Sequence, residues 1–274
     1  MSTAEDEKLR FAFGKNWLRF AENLDEKAVL AAESSLKEML GVERLDGKRF
    51  LDIGSGSGLF SLAARRLGAE VRSFDYDENS VACTQSVKNR FFPDDARWDV
   101  ERGSVLDQKF MSALGTFDVV YAWGVLHHTG SMWPAVENAS KRVAEGGKFF
   151  IALYNDQGWR SAVWGAVKRL YNALPSSLRF LVLWPAFVRI WAPTIVKDSL
   201  RGSPLRTWST YGGPRGMSPW RDVVDWVGGY PFEVASIDAV LKFCAERRLL
   251  PLKTVSVGAG YGCNEFVLEK RTGA

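Results

Sequence analysis

Histidine is scarce in this 274-residue chain: there are two, His127 and His128, and they are adjacent. A metal site built from several histidines is thereby excluded. Cysteine is nearly as rare. Cys83, Cys244 and Cys263 are scattered, form no metal-ligand spacing and leave an odd count. They read as reduced, buried thiols of a cytoplasmic protein, and no metal is expected. The opening MSTAEDEKLR is polar and acidic, so no secretory signal is expected. One long apolar stretch, residues 178–196, is interrupted by two prolines and Arg189. It falls short of the ~18 clean apolar residues that a spanning helix needs.

What is present is the composition of a soluble globular protein, 46% hydrophobic and 25% charged. The length suits one large domain with an insertion, or a domain plus a small lobe. Net charge is 36 − 32 = +4, but residues 155–217 hold nine Lys/Arg against two Asp/Glu. That local +7 leaves −3 for the rest, so the basic character belongs to one segment.

Residues 5–40 read as two helices, the second closed by Gly41. Strand and helix patterns then alternate: RFLDIG, EVRSFD, RWDVERGS, FDVVYAW and GKFFIALY are strands. Helices fall between them, the last of these over 132–147, with Pro134 in its first turn and Gly146 near its end. Such alternation calls for a parallel sheet covered on both faces. Residues 155–217 break the pattern with two amphipathic helices rich in Trp, Leu and Arg, 159–174 and 176–193. A helix over SIDAVLKFCAERRL and two strands, LKTVSVG and NEFVLEK, follow.

The segment FLDIGSGSGLFSL, residues 50–62, turns an apolar strand through three glycines into an apolar helix. A dinucleotide fingerprint starts well at Gly54 and Gly56, but its third glycine would fall on Leu59. A phosphate-binding loop needs a lysine before its helix, and SGLFS supplies none. What remains is Asp52-x-Gly54-x-Gly56-x-Gly58, which resembles the first motif of the class I S-adenosylmethionine-dependent methyltransferases.

That resemblance covers residues 49–153 well and the final strands weakly. It implies an α/β, Rossmann-like, doubly wound seven-stranded sheet, mostly parallel with the last strand antiparallel. An N-terminal helical lid (1–45), a cofactor-binding core (46–154), a helical insertion forming an acceptor lobe (155–217) and a C-terminal completion of the sheet (218–274) are expected. Gly54 and Gly56 would let the backbone approach the methionine moiety, with Gly58 opening the helix whose N-terminus helps hold the carboxylate. Asp52 would face the ligand's ammonium group, and Asp75, ending the second strand, would accept both ribose hydroxyls. Asp77 fits a helix cap better. Tyr76 would cover the adenine face, and Ser104 and Val105 would read its edge, with Asp107 as a substitute for the acidic residue more usual at position 104. Ala122 and Trp123 would lie along the methionine portion, and Trp17 would supply an aromatic surface on the lid, hinged at Gly14.

His127 and His128 are candidates for the general base of an O-methyltransferase, against a structural reading of VLHH as a packing and helix-entry element. Tyr154 and Asn155 emerge on the same edge, Asn155 with an alternative role as a turn residue. Seven of the eleven tryptophans lie between 159 and 226. Aromatic walls beside basic groups suit a flat, apolar acceptor, with Arg160, Tyr211, Arg215 and Tyr230 as its polar contacts. In DWVGGYPFE, residues 225–233, Gly228 and Gly229 permit a tight loop. Residues 178–196 read either as core of the lobe or as an interfacial helix in peripheral contact with a membrane.

The function implied is methyl transfer from S-adenosylmethionine to a small aromatic or apolar acceptor, on a hydroxyl oxygen, with S-adenosylhomocysteine as product. The Asn/Asp-Pro-Pro-Tyr/Phe tetrapeptide of nucleic-acid amino-methylating enzymes is absent, and no nucleic-acid partner is expected. The other readings are N-, S- or C-methylation of a small metabolite, a non-catalytic S-adenosylmethionine-binding protein, and a nicotinamide-dependent oxidoreductase, the last disfavoured by Leu59.

Overall fold

A computed structural model describes residues 9–11, 24–211 and 219–273. Helix α1, Glu26–Leu40, starts where the Asp25 carboxylate accepts the Ala28 N–H at 2.8 Å. It ends where Gly41 turns left-handed at φ 63°. Its apolar residues fall on one face, so Val29, Ala32, Leu36, Met39 and Leu40 are buried together. The first of the two expected N-terminal helices lies almost wholly outside the described residues, as do Gly14 and Trp17.

Strands and helices then alternate as β1 Arg49–Ile53, α2 Leu59–Arg66, β2 Glu70–Asp75, α3 Glu78–Phe91, β3 Trp98–Arg102, α4 Gln108–Ala113 and β4 Phe117–Trp123. After a short 3-10 turn, Leu126–His128, come α5 Met132–Ser140 and β5 Val143–Tyr154. The chain closes on α10 Ile237–Ala245, β6 Leu249–Val255 and β7 Cys263–Lys270. The seven strands lie in the order β3-β2-β1-β4-β5-β7-β6. β7 runs antiparallel to both its neighbours, and the pairings from β3 to β5 are parallel. Strand order reverses between β1 and β4, which opens a crevice at their carboxyl ends.

Both faces of the sheet are covered, so β1 is buried at every residue after Arg49. One layer packs Leu36, Leu62, Val87 and Trp98 from α1–α3 and β3 against Phe50 and Tyr121. The other packs Met111, Ala135, Val136 and Val240 from α4, α5 and α10 against Leu51, Val120 and Phe149. Truncating Leu36 to alanine would remove a fully buried side chain, at a cost of about 2–5 kcal/mol.

The structure corrects one helix boundary. The sequence pattern predicts a helix over 132–147, but α5 stops at Ser140 and Val143 already pairs with Phe117 on β4. The register then shifts before Lys148 pairs with Val119. Gly146 takes φ 72°, and a Cβ on Gly147 would stand 2.9–3.1 Å from three carbonyl oxygens. The two glycines serve an irregularity in the strand and not the end of a helix.

The chain divides into two compact units. The first holds the sheet, residues 24–157 and 233–273. The second holds residues 9–11, 158–211 and 219–232. It is built from α6 Trp159–Ala173, α7 Phe180–Leu200, α8 Arg206–Ser209 and α9 Pro219–Gly228. Its core gathers Trp164, Tyr171, Ala186, Trp191, Val223 and Val227. Lys168 is fully buried there, its ammonium donating to the Trp226 carbonyl and lying 4.3 and 4.7 Å from the ring centres of Trp226 and Phe232. The expected loop at 225–233 is helical through Gly228, where a Cβ would come within 2.3 Å of the Phe11 ring. Close helix packing, not a tight turn, is what that glycine provides.

Candidate functional site

The strand-to-helix turn at residues 54–58 lies at the carboxyl end of β1, beside the crevice. Gly54, Gly56 and Gly58 all adopt positive φ, at 73°, 54° and 76°. An L side chain resists that conformation. Close approach adds a second constraint. A Cβ on Gly54 would stand 2.5 Å from Val125 Cγ1, and one on Gly58 would stand 2.9 Å from the Thr84 Cα. The Gly54 and Ser55 amides donate to the Phe74 carbonyl at 2.8 and 3.1 Å, pinning the turn to β2. Gly58 opens α2 without a side-chain cap.

Asp75 ends β2 next to this turn. Its carboxylate accepts the Gly56 N–H at 3.0 Å through Oδ2 and the Asp77 N–H at 2.9 Å through Oδ1. Burial pushes its pKa up to about 6, against the backbone amides of Asp77, Gly56 and Tyr76, which favour the anion. Asp77 takes the separate role expected of it, capping α3 through the Asn79 N–H. Tyr76 is exposed, with the Arg102 guanidinium 6.0 Å from its ring centre.

Asp52 sits deeper, at the end of a buried chain of hydroxyls that sequence reasoning missed. Ser61 Oγ donates to Asp52 Oδ2 at 2.5 Å, Ser73 and Ser61 hydroxyls lie 2.7 Å apart, and Trp98 Nε1 donates to Ser73 Oγ at 2.9 Å. The indole N–H can only donate, so the chain runs one way, from Trp98 through Ser73 and Ser61 to the carboxylate. Burial, with the neighbouring Asp75 charge adding to it, pushes Asp52 up to about 7, while Ser61 acts in the opposite direction.

The loop after β3 adjoins Asp75 because the Gly103 N–H donates to the Asp75 carbonyl. Ser104 Oγ accepts the Leu106 N–H at 3.2 Å, and the Val105 carbonyl accepts from the Asn138 amide at 2.9 Å. Asp107 accepts the Lys109 and Phe110 N–H groups as the cap of α4, which commits its carboxylate elsewhere. Ala122 is buried in the sheet's core at the end of β4, and Trp123 Nε1 donates to Glu265 on β7 at 3.1 Å.

The histidine pair follows β4. His127 is fully buried, its Nδ1 accepting the Tyr154 N–H at 3.3 Å and its ring 3.9 Å from the Tyr154 ring. With Nδ1 an acceptor, the neutral ring carries its proton on Nε2. His128 is half-buried and meets Tyr154 edge-on at 5.3 Å. A residue the sequence did not flag, Glu233, fixes this loop from afar. Its N–H donates to the His127 carbonyl at 3.0 Å, and its carboxylate accepts the Met132 N–H. Burial raises the Glu233 pKa against the amides of Met132 and Gly130.

Other expected residues are engaged differently. Asn155 donates from its side chain to the Gly258 carbonyl and accepts from Asn264, locking the β6–β7 connection to the end of β5. The second unit holds Arg160, which lies over the Trp159 ring, Tyr211, whose hydroxyl donates to Asp222, and Tyr230, whose carbonyl accepts the Phe11 N–H. Trp17 and Arg215 lie outside the described residues. Among the described residues no cluster of metal-ligating side chains occurs.

A profile of the methyltransferase domain family matches residues 20–185. A ubiquinone biosynthesis O-methyltransferase of Rhizobium etli is 33% identical over 112 residues, 40% of this chain and 43% of the relative. A ribosomal protein L11 methyltransferase of Helicobacter hepaticus is 34% identical over 93 residues, 34% of this chain and 28% of the relative. The chain thus spans less than half the length of either. Among solved structures, the Synechocystis magnesium protoporphyrin IX methyltransferase with bound SAH superposes with a TM-score of 0.53 at 12% identity, over 89% of this chain and 83% of the other. Rickettsia typhi PKMT2 gives 0.56 at 13% identity, over 87% and 52%. The chain belongs to the methyltransferase domain family and has its class I, S-adenosylmethionine-dependent fold.

Proposed function

We propose that this protein moves a methyl group from S-adenosylmethionine to a hydroxyl oxygen of a small aromatic or apolar acceptor. The observation that carries the reading is the Asp75 carboxylate beside three positive-φ glycines, at the sheet's crevice. The site fits the cofactor on two counts. A sugar diol can take the Asp75 carboxylate bidentately, and a positively charged ligand relieves two carboxyls whose burial has raised them to about 6 and 7.

In this reading Asp75 holds the ribose, Tyr76 covers the adenine, and Ser104 and Val105 face its edge. The turn at Gly54, Gly56 and Gly58 holds the amino-acid tail, with Asp52 balancing its ammonium. Ala122 and Trp123 line the neighbouring strand end. The bound cofactor supplies an activated methyl on a sulfonium. The chain's part would be to orient the acceptor hydroxyl toward that methyl and to take up the hydroxyl proton on a base. His127 has committed Nδ1 to the Tyr154 amide, so proton removal falls to His128, with Tyr154 framing the pair.

The relative that supports oxygen as acceptor atom is the ubiquinone biosynthesis O-methyltransferase. The cysteines support a cytoplasmic enzyme: burial pushes the Cys83 and Cys244 thiols up to about 12, and none of the three is joined in a disulfide among the described residues.

Calorimetry with S-adenosylmethionine and with NADH tests the cofactor. Heat from the first and none from the second is expected, and the reverse overturns the reading. Transfer of labelled methyl to a panel of phenols, quinols, amines and thiols tests the rest. Label on phenols or quinols supports O-methylation, label on amines or thiols alone refutes it, and cofactor binding without transfer to any class marks a binding protein.

A further inference from the structure

Two helices of the second unit leave apolar faces in solvent. On α6, Trp159, Val163 and Leu170 are 72%, 51% and 53% exposed, and three alanines between and after them are exposed as well. Their spacing is the stripe that a helix ordinarily buries. Yet the opposite side of α6, with Trp164 and Tyr171, already forms the unit's core. α7 repeats the arrangement. Leu181, Trp184, Val188 and Val196 are each more than half exposed, while Ala186 and Trp191 point into the core.

Exposed cations stand next to these residues in sequence: Arg160 beside Trp159, Arg169 beside Leu170, Arg189 beside Val188 and Lys197 beside Val196. Residues 158–211 carry eight Lys/Arg and one acidic residue, Asp198, whose carboxylate is bound by the Thr207 amide and hydroxyl. Large apolar patches on a soluble protein mark interaction surfaces, and the chemistry of the rim selects the partner. Tryptophan and arginine side chains suit the boundary between acyl chains and anionic headgroups.

We propose that the exposed faces of α6 and α7 dock this protein on an anionic lipid bilayer, with the helices lying in the interface. Charge complementarity favours that occupant over a second copy of the chain, which would set like-charged faces against each other. By length and composition alone, residues Ser176–Leu200 could cross a membrane, although they lack a clean apolar run. Pro185, Pro193 and Arg189 interrupt them, and one side of α7 packs in the unit's core with Val223 and Val227 on α9. A surface-bound helix satisfies both facts. The inference rests on the second unit's surface and not on methyl transfer, so the two readings stand or fall separately.

The test is co-sedimentation of the full chain with vesicles of phosphatidylcholine alone, or of phosphatidylcholine mixed with phosphatidylglycerol. Binding to the mixed vesicles only, released by added salt, is expected. Val188→Glu and Leu170→Glu on the exposed faces, and Arg189→Glu beside them, should each weaken partitioning on the order of tenfold, with helical circular dichroism and thermal unfolding unchanged. No binding, equal binding to neutral vesicles, or binding unaffected by the three substitutions overturns the proposal. So does a solution dimer that Val188→Glu converts to monomer while vesicles capture neither form.

Discussion

The Glu233 carboxylate accepts the Met132 backbone N–H through both oxygens, at 2.9 and 3.1 Å, across 101 residues of sequence. Met132 begins α5, and the local residue at the cap position, Ser131, makes no side-chain cap bond. A carboxylate from the far side of the second unit's sequence supplies what the helix start lacks. The Glu233 N–H simultaneously holds the His127 carbonyl, so one residue ties the loop at the histidines and at its far end, where α5 begins. Glu233→Ala should cost about 1–2 kcal/mol in denaturant unfolding, and Glu233→Gln less. Turnover should fall in both while calorimetric affinity for S-adenosylmethionine is kept; lost affinity would mean that the loop also shapes the cofactor site.

The raised carboxyls make cofactor binding pH-dependent. Asp52 and Asp75 move from an ordinary 3.8 to about 7 and about 6 in the fold. Between the ordinary and folded values the native state holds more protons than the unfolded chain. Their contribution to stability therefore falls as pH rises through that window. A cationic ligand favours the ionised forms, so affinity should climb between about pH 5 and 7 with proton release on binding. Titrations in buffers of different ionisation enthalpy read the protons directly. Proton uptake, or none, would separate these carboxyls from the ligand.

Asp75→Ala should abolish measurable cofactor binding. It removes the diol acceptor and also frees the Gly56 amide that Asp75 holds at 3.0 Å. Asp75→Asn keeps an oxygen for the Gly56 amide but turns its NH2 toward the Asp77 N–H and loses the charge, so it should bind more than tenfold more weakly. Unfolding curves separate the two effects, because Asp75→Asn keeps one of the two amide contacts and should lose less stability than Asp75→Ala. Unchanged affinity in both variants would remove Asp75 from the site.

Much of this was readable because it is local. Gly41 and Asp77 have their structural reasons within a few residues, and the three turn glycines take the positive φ that their type favours. The helix over 132–147 ends early because Val143 answers to Phe117 on another strand, a pairing that periodicity does not register. Asp107 looks available for a ligand in the sequence but serves the first amides of α4. Glu233 and the chain from Trp98 to Asp52 are contacts between distant segments, each residue ordinary in its own neighbourhood. DWVG reads as a loop on its glycines, although Asp222, Val223, Trp226 and Val227 keep helical spacing, and that signal could have extended α9.

The two outer glycines of the turn should respond differently to compensation. Gly54→Ala meets the side chain of Val125, with Cγ1 at 2.5 Å and Cγ2 at 2.6 Å, and Gly58→Ala meets the Thr84 Cα at 2.9 Å. Both also force a side chain to positive φ, costing about 1–2 kcal/mol whatever the space. Val125→Ala removes the nearest atoms around residue 54, so Gly54→Ala/Val125→Ala should recover part of the lost stability. Thr84→Ala leaves the Cα in place, so Gly58→Ala/Thr84→Ala should recover little. Denaturant midpoints of the two double-mutant cycles decide it; equal recovery at both sites would mean that strain in φ, not crowding, sets the cost.

His127 and His128 should separate by pH. His127 accepts the Tyr154 amide through Nδ1 and packs against its ring, so His127→Ala loosens β5 against the loop. Its expected signature is lower stability, by about 1–3 kcal/mol, and a modest fall in turnover with an unaltered pH profile. His128, half-buried, has the general-base assignment, and its loss should slow turnover by about 10²-fold or more. The acidic limb of the pH–rate profile reports protonation of the base. It should vanish in His128→Ala and persist in His127→Ala. Both variants should keep their affinity for the cofactor, unlike Asp75→Ala. If the limb survives both substitutions, neither imidazole takes the proton, and transfer relies on positioning and desolvation of an acceptor that is already ionised.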